Sequence, residues 1–542
     1  MSETSEDVLE FIDDGGSQER LVPTPIDGVS SVPVLYREIA ALALLVLVCD
    51  LTIYRSTGYA GPGVLFLVAP LLLWLGTVRR KCEHSLWVLV PMLVSLSARL
   101  LWCGSPLAVA LGFVLLVLFA MSLAGLRPYL TQAVVFASQM IAAGYRGLHH
   151  YFRTLARFSP AILRTQLFAI VLPVVTLFVF ATIFVMANPD LVKSFGDNLA
   201  WFVDFIDKWL QQFQFTEILF CACAGWLATG MLRPFVSQDH AIDHRVVVSE
   251  VSANSPYYDA YRNTLAVVIG LFAFYLVFEF QTLWFRVFPA GFHYSGYAHE
   301  GAAWLTVALG LATLMLSLIF RGTILANPRL SRLRTLSWIW SIENLLLAVA
   351  VFNRLSIYIG FNGMTRMRVV GMLGVASVVG GFLLVLRKIA CNHGFTWLIR
   401  RQLWTVSFAV FLYEVLPVDA FVNQFNVKRI MAGDPRPSVQ IGWHPTSDEG
   451  FLCLMPLIDC NDPIIRDGIR GMLDEKLFSL ETELTSEQSQ SWTAKQFATD
   501  QLVDQLRTAK ARWTTDRWWS RTNFSPRQDV IEKFRKYAYQ WY

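Results

Sequence analysis

From residue 38 onward, apolar runs recur near 38–54, 59–77, 85–102, 106–126, 166–187, 215–232, 263–285, 301–321, 336–358, 369–387 and 402–418. A helix rises about 1.5 Å per residue, so about 20 apolar residues cross a hydrocarbon core roughly 30 Å thick. The pattern therefore predicts about eleven spanning helices. Polar positions fall between the runs and predict the rest. Residues 128–165 carry Arg146, His149, His150, Arg153 and Arg157 on an apolar background. Residues 189–213 interleave Asp197, Asp204, Asp207 and Lys208 with Trp201, Phe202, Phe205 and Trp209. Both read as amphipathic helices lying at the interface, the first against an anionic inner leaflet. Beyond Val418 the chain turns polar, and helices are predicted near 463–483, 487–512 and 526–540. Asp462 before Pro463 and Ser525 before Pro526 are expected caps, because proline lacks only an N–H that the first helical turn leaves unpaired.

The loops orient these elements. Lys and Arg in short loops collect on the cytoplasmic side. Arg79-Arg80-Lys81, then Arg127 to Arg164, then Arg233, Arg245 and Arg262, then Arg321, Arg329, Arg332 and Arg334, and finally Arg387, Lys388, Arg400 and Arg401 fall on every second loop. Arg354, Arg366 and Arg368 are the exceptions. The alternation places the N-terminus inside, the turn at 288–300 outside, and everything after about Val418 outside. The expected fold class is all-α, a polytopic transmembrane helix bundle with a small C-terminal extramembrane helical domain. Its expected parts are an acidic, disordered cytosolic tail (1–36), N-terminal transmembrane helices (37–126), the basic amphipathic segment (127–165), a core transmembrane bundle (166–418) and an extracytoplasmic helical domain (419–542).

Composition narrows the class further. The chain is 55% hydrophobic and only 16% charged, against roughly 45–50% and 25% in soluble domains. A formal charge of +4 over 542 residues gives no reason to expect nucleic acid. The first residues lack the basic and apolar regions of a signal peptide. The eight cysteines show no CxxC pair and no metal-ligand spacing, so no metal site is expected. Only Cys453 and Cys460, in the outer region, are candidates for a disulfide. The aromatics Trp513, Trp518, Trp519, Tyr537, Tyr539, Trp541 and Tyr542 would either dock the C-terminal domain on the membrane or form its core.

Candidate chemistry concentrates around the hairpin 263–321 and the polar turn 288–301. Glu279, Gln281, Tyr297, His299 and Glu300 stand at its boundary, where carboxylates and imidazoles are costly to bury. Glu343, Arg354 and Tyr358 share one face of a later span, being spaced by whole helical turns. The natural partners of Glu343 and Arg354 are on neighbouring helices, at Glu279, Gln281, Glu414, Asp50 and Arg99, all at spanning or near-boundary positions; Arg354 with Glu414 or Glu300 is one such ion pair. Such a pair would be a structural clasp or the lining of an outward polar cavity; Asn344 and Asn353 would be interhelical hydrogen-bond glue or part of that lining. His299 and Glu300 are the catalytic candidates for acid–base work. No zincin, phosphate-binding loop, nucleophile elbow or dinucleotide motif accompanies them, and no cofactor is expected.

Three segments carry a resemblance. Tyr294-Ser-Gly-Tyr297-Ala-His-Glu300-Gly301 following Gln281, Arg354-Leu-Ser-Ile-Tyr358-Ile-Gly-Phe-Asn-Gly363-Met-Thr365-Arg366-Met-Arg368, and Asp419-Ala-Phe-Val-Asn-Gln-Phe-Asn426 resemble a bacterial multi-pass membrane family catalogued as a domain of unknown function, the four-one-seven-three type. The resemblance covers about residues 263–460. His299 departs from it, since that family has arginine there. It implies fold and location and no chemistry. Glu300, Arg354, Tyr358, Arg366 and Arg368 are expected to meet near the outer face, with Glu414, Asp419 and Asn426 beside them. The expected function is an inner-membrane protein whose outward polar cluster binds an envelope lipid, small ligand or protein partner. Its rivals are an envelope enzyme on a lipid-linked substrate, an ion- or proton-coupled transporter, and a sensor or scaffold whose external domain contacts a partner. Expected partners are membrane lipids and an envelope protein met through the C-terminal domain.

Overall fold

The computed structural model describes residues 34–77, 83–158, 215–234, 257–281, 294–320, 329–391, 393, 395–485, 491–520 and 524–541, with scattered helical residues between 169 and 184. The expected tail at 1–33, the candidate span at 166–187 and the amphipathic segment at 189–213 lie outside the described residues, apart from those scattered positions. Among the described residues all regular structure is helical. The membrane part consists of α1 (Tyr36–Cys49), continued by a π-turn at Asp50–Tyr54, α2 (Ala60–Gly76), α3 (Leu86–Cys103), α4 (Pro106–Leu123), α5 (Leu130–Phe158), α6 (Phe215–Leu232), α7 (Tyr258–Glu279), α8 (Tyr294–Ile319), α9 (Leu330–Asn362), α10 (Arg366–Cys391) and α11 (Phe395–Val415).

Each expected span outside 166–187 coincides with one of these helices. Five, α3, α4, α7, α9 and α10, are long and apolar enough to cross a membrane, or six if the bent pair α11 and α12 (Val418–Met431) is one span. The count of about eleven therefore rests on shorter apolar helices and on undescribed residues. Leu71, Leu271, Phe274 and Leu311 are exposed on the helix surfaces, as lipid-facing residues of a bundle should be. Among the described residues, two apolar cores of the bundle are the largest. One joins α1–α4 through Phe66, Leu93, Leu96 and Leu115, and receives Phe411 of α11. The other joins α7–α11 through Leu265, Leu316, Leu333, Phe382 and Leu398.

The amphipathic segment forms α5, which packs against α6 where the backbones approach closely: a Cβ added at Gly230 would lie 2.2 Å from the Met140 carbonyl oxygen. A buried triad locks this corner. Arg233 donates two hydrogen bonds to Glu38, and the Tyr151 hydroxyl donates a third.

The chain leaves the bundle without a linker. Pro417 has no N–H and restricts Leu416 before it, so α11 ends and α12 starts at an angle of 63°. After α12 come α13 (Ser438–Trp443), α14 (Asp448–Leu454), a 3-10 turn at Met455–Asp459, α15 (Pro463–Leu484), α16 (Phe497–Ala509) and α17 (Ser525–Tyr539). Asp462 caps α15 as expected, its Oδ1 accepting from the Ile464 and Ile465 N–H groups. Ser525 does not cap α17. It lies inside the first turn, and the cap position is Phe524, with no side-chain bond. This domain has its own core, including Leu457, Ile469, Leu473, Leu506 and Phe534.

Five of the seven aromatics resolve toward that core, while Tyr539 is 57% exposed against Trp443 and Tyr542 lies outside the described residues. Trp513 is 0% and Trp518 8% exposed, while Trp519 and Trp541 pack against them. The Trp513 and Trp519 indoles donate to Asp474 Oδ1 at 3.0 and 3.2 Å. An aromatic ring suits a membrane interface or a core equally, and a buried carboxylate within reach of both indole N–H groups decides for the core. The Tyr537 hydroxyl donates to Asp462 Oδ2 at 2.8 Å. Its burial and then this bond push the phenol up to about 12. Cys453 and Cys460 are free thiols, not a disulfide.

Candidate functional site: the seam between bundle and domain

The predicted cluster divides into parts. Arg354 pairs with Glu279, one of the partners expected for it: its Nε donates to Oε1 at 2.6 Å and its Nη2 reaches Oε2 as well. Tyr275 completes the group, accepting from Arg354 Nη2 and donating to Glu279 Oε2, both at 3.0 Å. Arg354 is 2% and Glu279 1% exposed. This is a clasp between α9 and α7. Asp50 is likewise engaged, with Arg55 at 3.0 Å.

The other residues converge where the domain meets the bundle. Gly363 closes α9 with a φ of +98°, which suits glycine and strains other residues. The turn is read by Asn426 of α12. Its Oδ1 accepts from Met364 N at 2.7 Å and its Nδ2 donates to Met364 O at 2.9 Å. Gln440 Nε2 donates to Asn362 O at 2.9 Å. Arg368 lies over the Tyr358 ring, 3.8 Å from its centroid, and donates to Asn362 Oδ1 and Gly363 O. Arg429 donates to Ile359 O and Gly360 O, both at 2.9 Å. Arg368 and Arg429 thus serve the C-terminal carbonyls of α9, where the helix dipole favours positive charge. Arg429 also pairs with Asp434, to which Arg436 donates at 2.8 Å. Burial raises the Asp434 carboxyl, but the hydrogen bonds from Arg436 and Arg429 outweigh it and bring the group down to about 2.

Arg366 grips both oxygens of Asp419 at the start of α12, and Asp419 Oδ2 also accepts from Ser447 N at 2.7 Å. Arg99 of α3 makes the matching fork onto Glu449 of α14, while its Nε donates to the Glu414 carbonyl at 3.2 Å. The Glu414 carboxylate accepts from Ser105, which meanwhile caps α4 by accepting from Ala108 N at 3.0 Å. His444 borders this patch. Partial burial and the positive charges of Arg368 and Arg366 push its imidazole below the usual value.

Alanine at Gly363 is expected to loosen this seam. The strained backbone, with ψ at −169°, costs about 1–3 kcal/mol, and overpacking adds roughly 1–3, since the new Cβ would sit 2.5 Å from Asn426 Oδ1 and 2.9 Å from Pro437 Cβ. Thermal unfolding of the detergent-purified protein should show a clearly lowered midpoint. A wild-type midpoint would contradict this account of the turn.

The remaining candidates lie elsewhere. Tyr297, His299 and Glu300 sit on the first turns of α8, which starts at Tyr294, not in a turn running to residue 301. The side chains of 294–303 lie outside the described residues, so neither catalytic candidate is placed against the seam. Gln281 is exposed just beyond α7. Glu343 lies midway along α9, its Oε2 buried and unpartnered, as are Asn344 Oδ1 and Trp340 Nε1 beside it. Among the described residues no group of three metal-ligating side chains occurs. The sequence reading missed Glu449, and missed the Glu38–Arg233–Tyr151 triad because Arg233 counted only as a loop charge.

No curated protein and no solved structure matches the chain. The model of a family described as Domain of unknown function (DUF4153) matches residues 40–441, which corrects the four-one-seven-three type suggested by the three segments and brings the helices before residue 160 inside the match. The chain belongs to that family, the one catalogued as four-one-five-three.

Proposed function

We propose that this chain is a scaffold of a bacterial inner membrane, which fixes a helical domain on the extracytoplasmic face and presents it to an envelope protein. The observation that carries this reading is the seam. Arg99, Arg366, Asn426 and Gln440 each bond across it, so the charges predicted to await a ligand hold the domain instead. Glu279 is spent on Arg354 and Glu414 on Ser105, which removes carboxylates that a transport path or an acid–base site would need. The orientation gains support from the same bonds. Loops near 57–60, 104–105 and 363–366 all meet the domain, and these alternate with the loops rich in Lys and Arg. The exceptions to that alternation have structural employment: Arg354 on Glu279, Arg366 on Asp419, Arg368 at the end of α9.

The test is complementation of a chromosomal deletion at equal protein levels. His299→Ala and Glu300→Gln should complement, while Arg366→Glu, which repels Asp419 and unseats the domain, should not. Loss of complementation by Glu300→Gln in a folded, normally abundant protein would replace the scaffold by an envelope enzyme. One observation favours a second reading. The unpartnered Glu343 Oε2 in the middle of α9 suits an ion- or proton-coupled transporter, because an intramembrane carboxyl is rarely idle. Failure of Glu343→Gln alone would favour that reading.

A further inference from the structure

The loop leading into α16 is tied to the ends of the bundle helices. Thr493, 1% exposed, accepts through its carbonyl from Ala60 N at 3.1 Å and through Oγ1 from Thr57 N at 3.2 Å. Gln496 Oε1 accepts from Gly104 N at 3.1 Å. Ala60 opens α2, and Gly104 follows the last residue of α3. Residues 493–496 are therefore held at the depth where membrane helices meet water. Flanking these tethers, Trp492 is 50% and Phe497 61% exposed, with exposed Lys495 between them. The domain buries Trp513 and Trp518 fully enough to show that it has room for large aromatics, yet it leaves these two outside. Aromatic rings flanking a cation suit the headgroup layer, where indole and phenyl rings partition and Lys attracts phosphate. Exposed Phe421 and Met431 on α12, which turns aside from the bundle at the same end, extend the apolar surface.

We infer that Trp492–Phe497 inserts into the headgroup layer of the leaflet beneath the domain, with Lys495 against the phosphate of an anionic phospholipid. The contact is with the bilayer surface and is independent of whatever the domain presents to a partner. It is tested with the full chain reconstituted in phosphatidylcholine vesicles, with or without phosphatidylglycerol, containing lipids brominated near the acyl carbonyl. The emission lost in Trp492→Phe, read as the difference from the wild type, should be emission that bromine quenches, and Phe497→Trp in that background should restore quenchable emission. Lys495→Glu should abolish the increase in quenching that phosphatidylglycerol brings. If the Trp492 contribution is unquenched and Phe497→Trp adds only unquenched emission, the loop faces water and the inference fails. Quenching without any dependence on phosphatidylglycerol would overturn the phosphate contact.

Discussion

Alanine at Asp474 is expected to unfold the C-terminal domain while leaving the bundle in the membrane. This carboxylate is 8% exposed and accepts from Trp513 and Trp519 through Oδ1 and from Arg527 Nη1 at 3.1 Å through Oδ2. Its loss leaves a guanidinium that is 6% exposed without its carboxylate, and strands two indole N–H groups. Breaking a buried pair from one side costs about 3–5 kcal/mol, and each stranded donor adds about 1–3. A small domain has about 5–15 kcal/mol in total. Limited proteolysis of the full chain in detergent should show cleavage within 463–539 at temperatures where the wild type resists. Asp474→Asn, which keeps an acceptor for the indoles, should fall between. A resistant Asp474→Ala protein would mean that Trp513 and Arg527 are satisfied by other means.

The second large effect belongs to the clasp of α7 and α9. Glu279→Leu alone leaves the Arg354 guanidinium buried without this carboxylate while its bond to Tyr275 remains, and should lower stability by about 3–5 kcal/mol. The double change Glu279→Leu with Arg354→Met should recover to within about 1 kcal/mol of the wild type or exceed it, because a packed apolar pair often replaces a buried ion pair without loss. Thermal unfolding in detergent decides this, and complementation by a stable double variant would confirm the pair as purely structural. A double variant as unstable as the single one would show that the coupling is not a two-residue affair.

How much of this was legible beforehand depends on what each residue type can say alone. Apolar length located the helices, and Asp462-Pro463 announced the start of α15, because both signals are local. Arg354 was recognisable as a residue in need of a carboxylate, and periodicity put it on a definite face. Periodicity does not say which helix lies opposite, so Glu279, 75 positions away, stood as one of several possible partners beside Gln281, Glu414 and Asp50. Asp419 was one of three counter-charges expected for the outer arginines, beside Glu300 and a lipid phosphate, and the bend at Pro417 is what brings it to Arg366. Arg99 and Glu449 are 350 residues apart, and nothing near either predicts the other. The helical start at Tyr294 was hidden by Gly296 and Gly301, which read as a turn until the run without proline carries through them.

The bend at Pro417 has one more consequence. With only Leu416 and Pro417 between α11 and α12, the domain has no tether to swing on. Reach grows with linker length, so it searches no volume of its own and cannot rise to meet a soluble molecule. A protein that binds it has to arrive within a few nanometres of the leaflet. An encounter with another membrane-bound molecule then becomes a two-dimensional search at raised local concentration, governed by lateral diffusion and by the height at which each party holds its binding face.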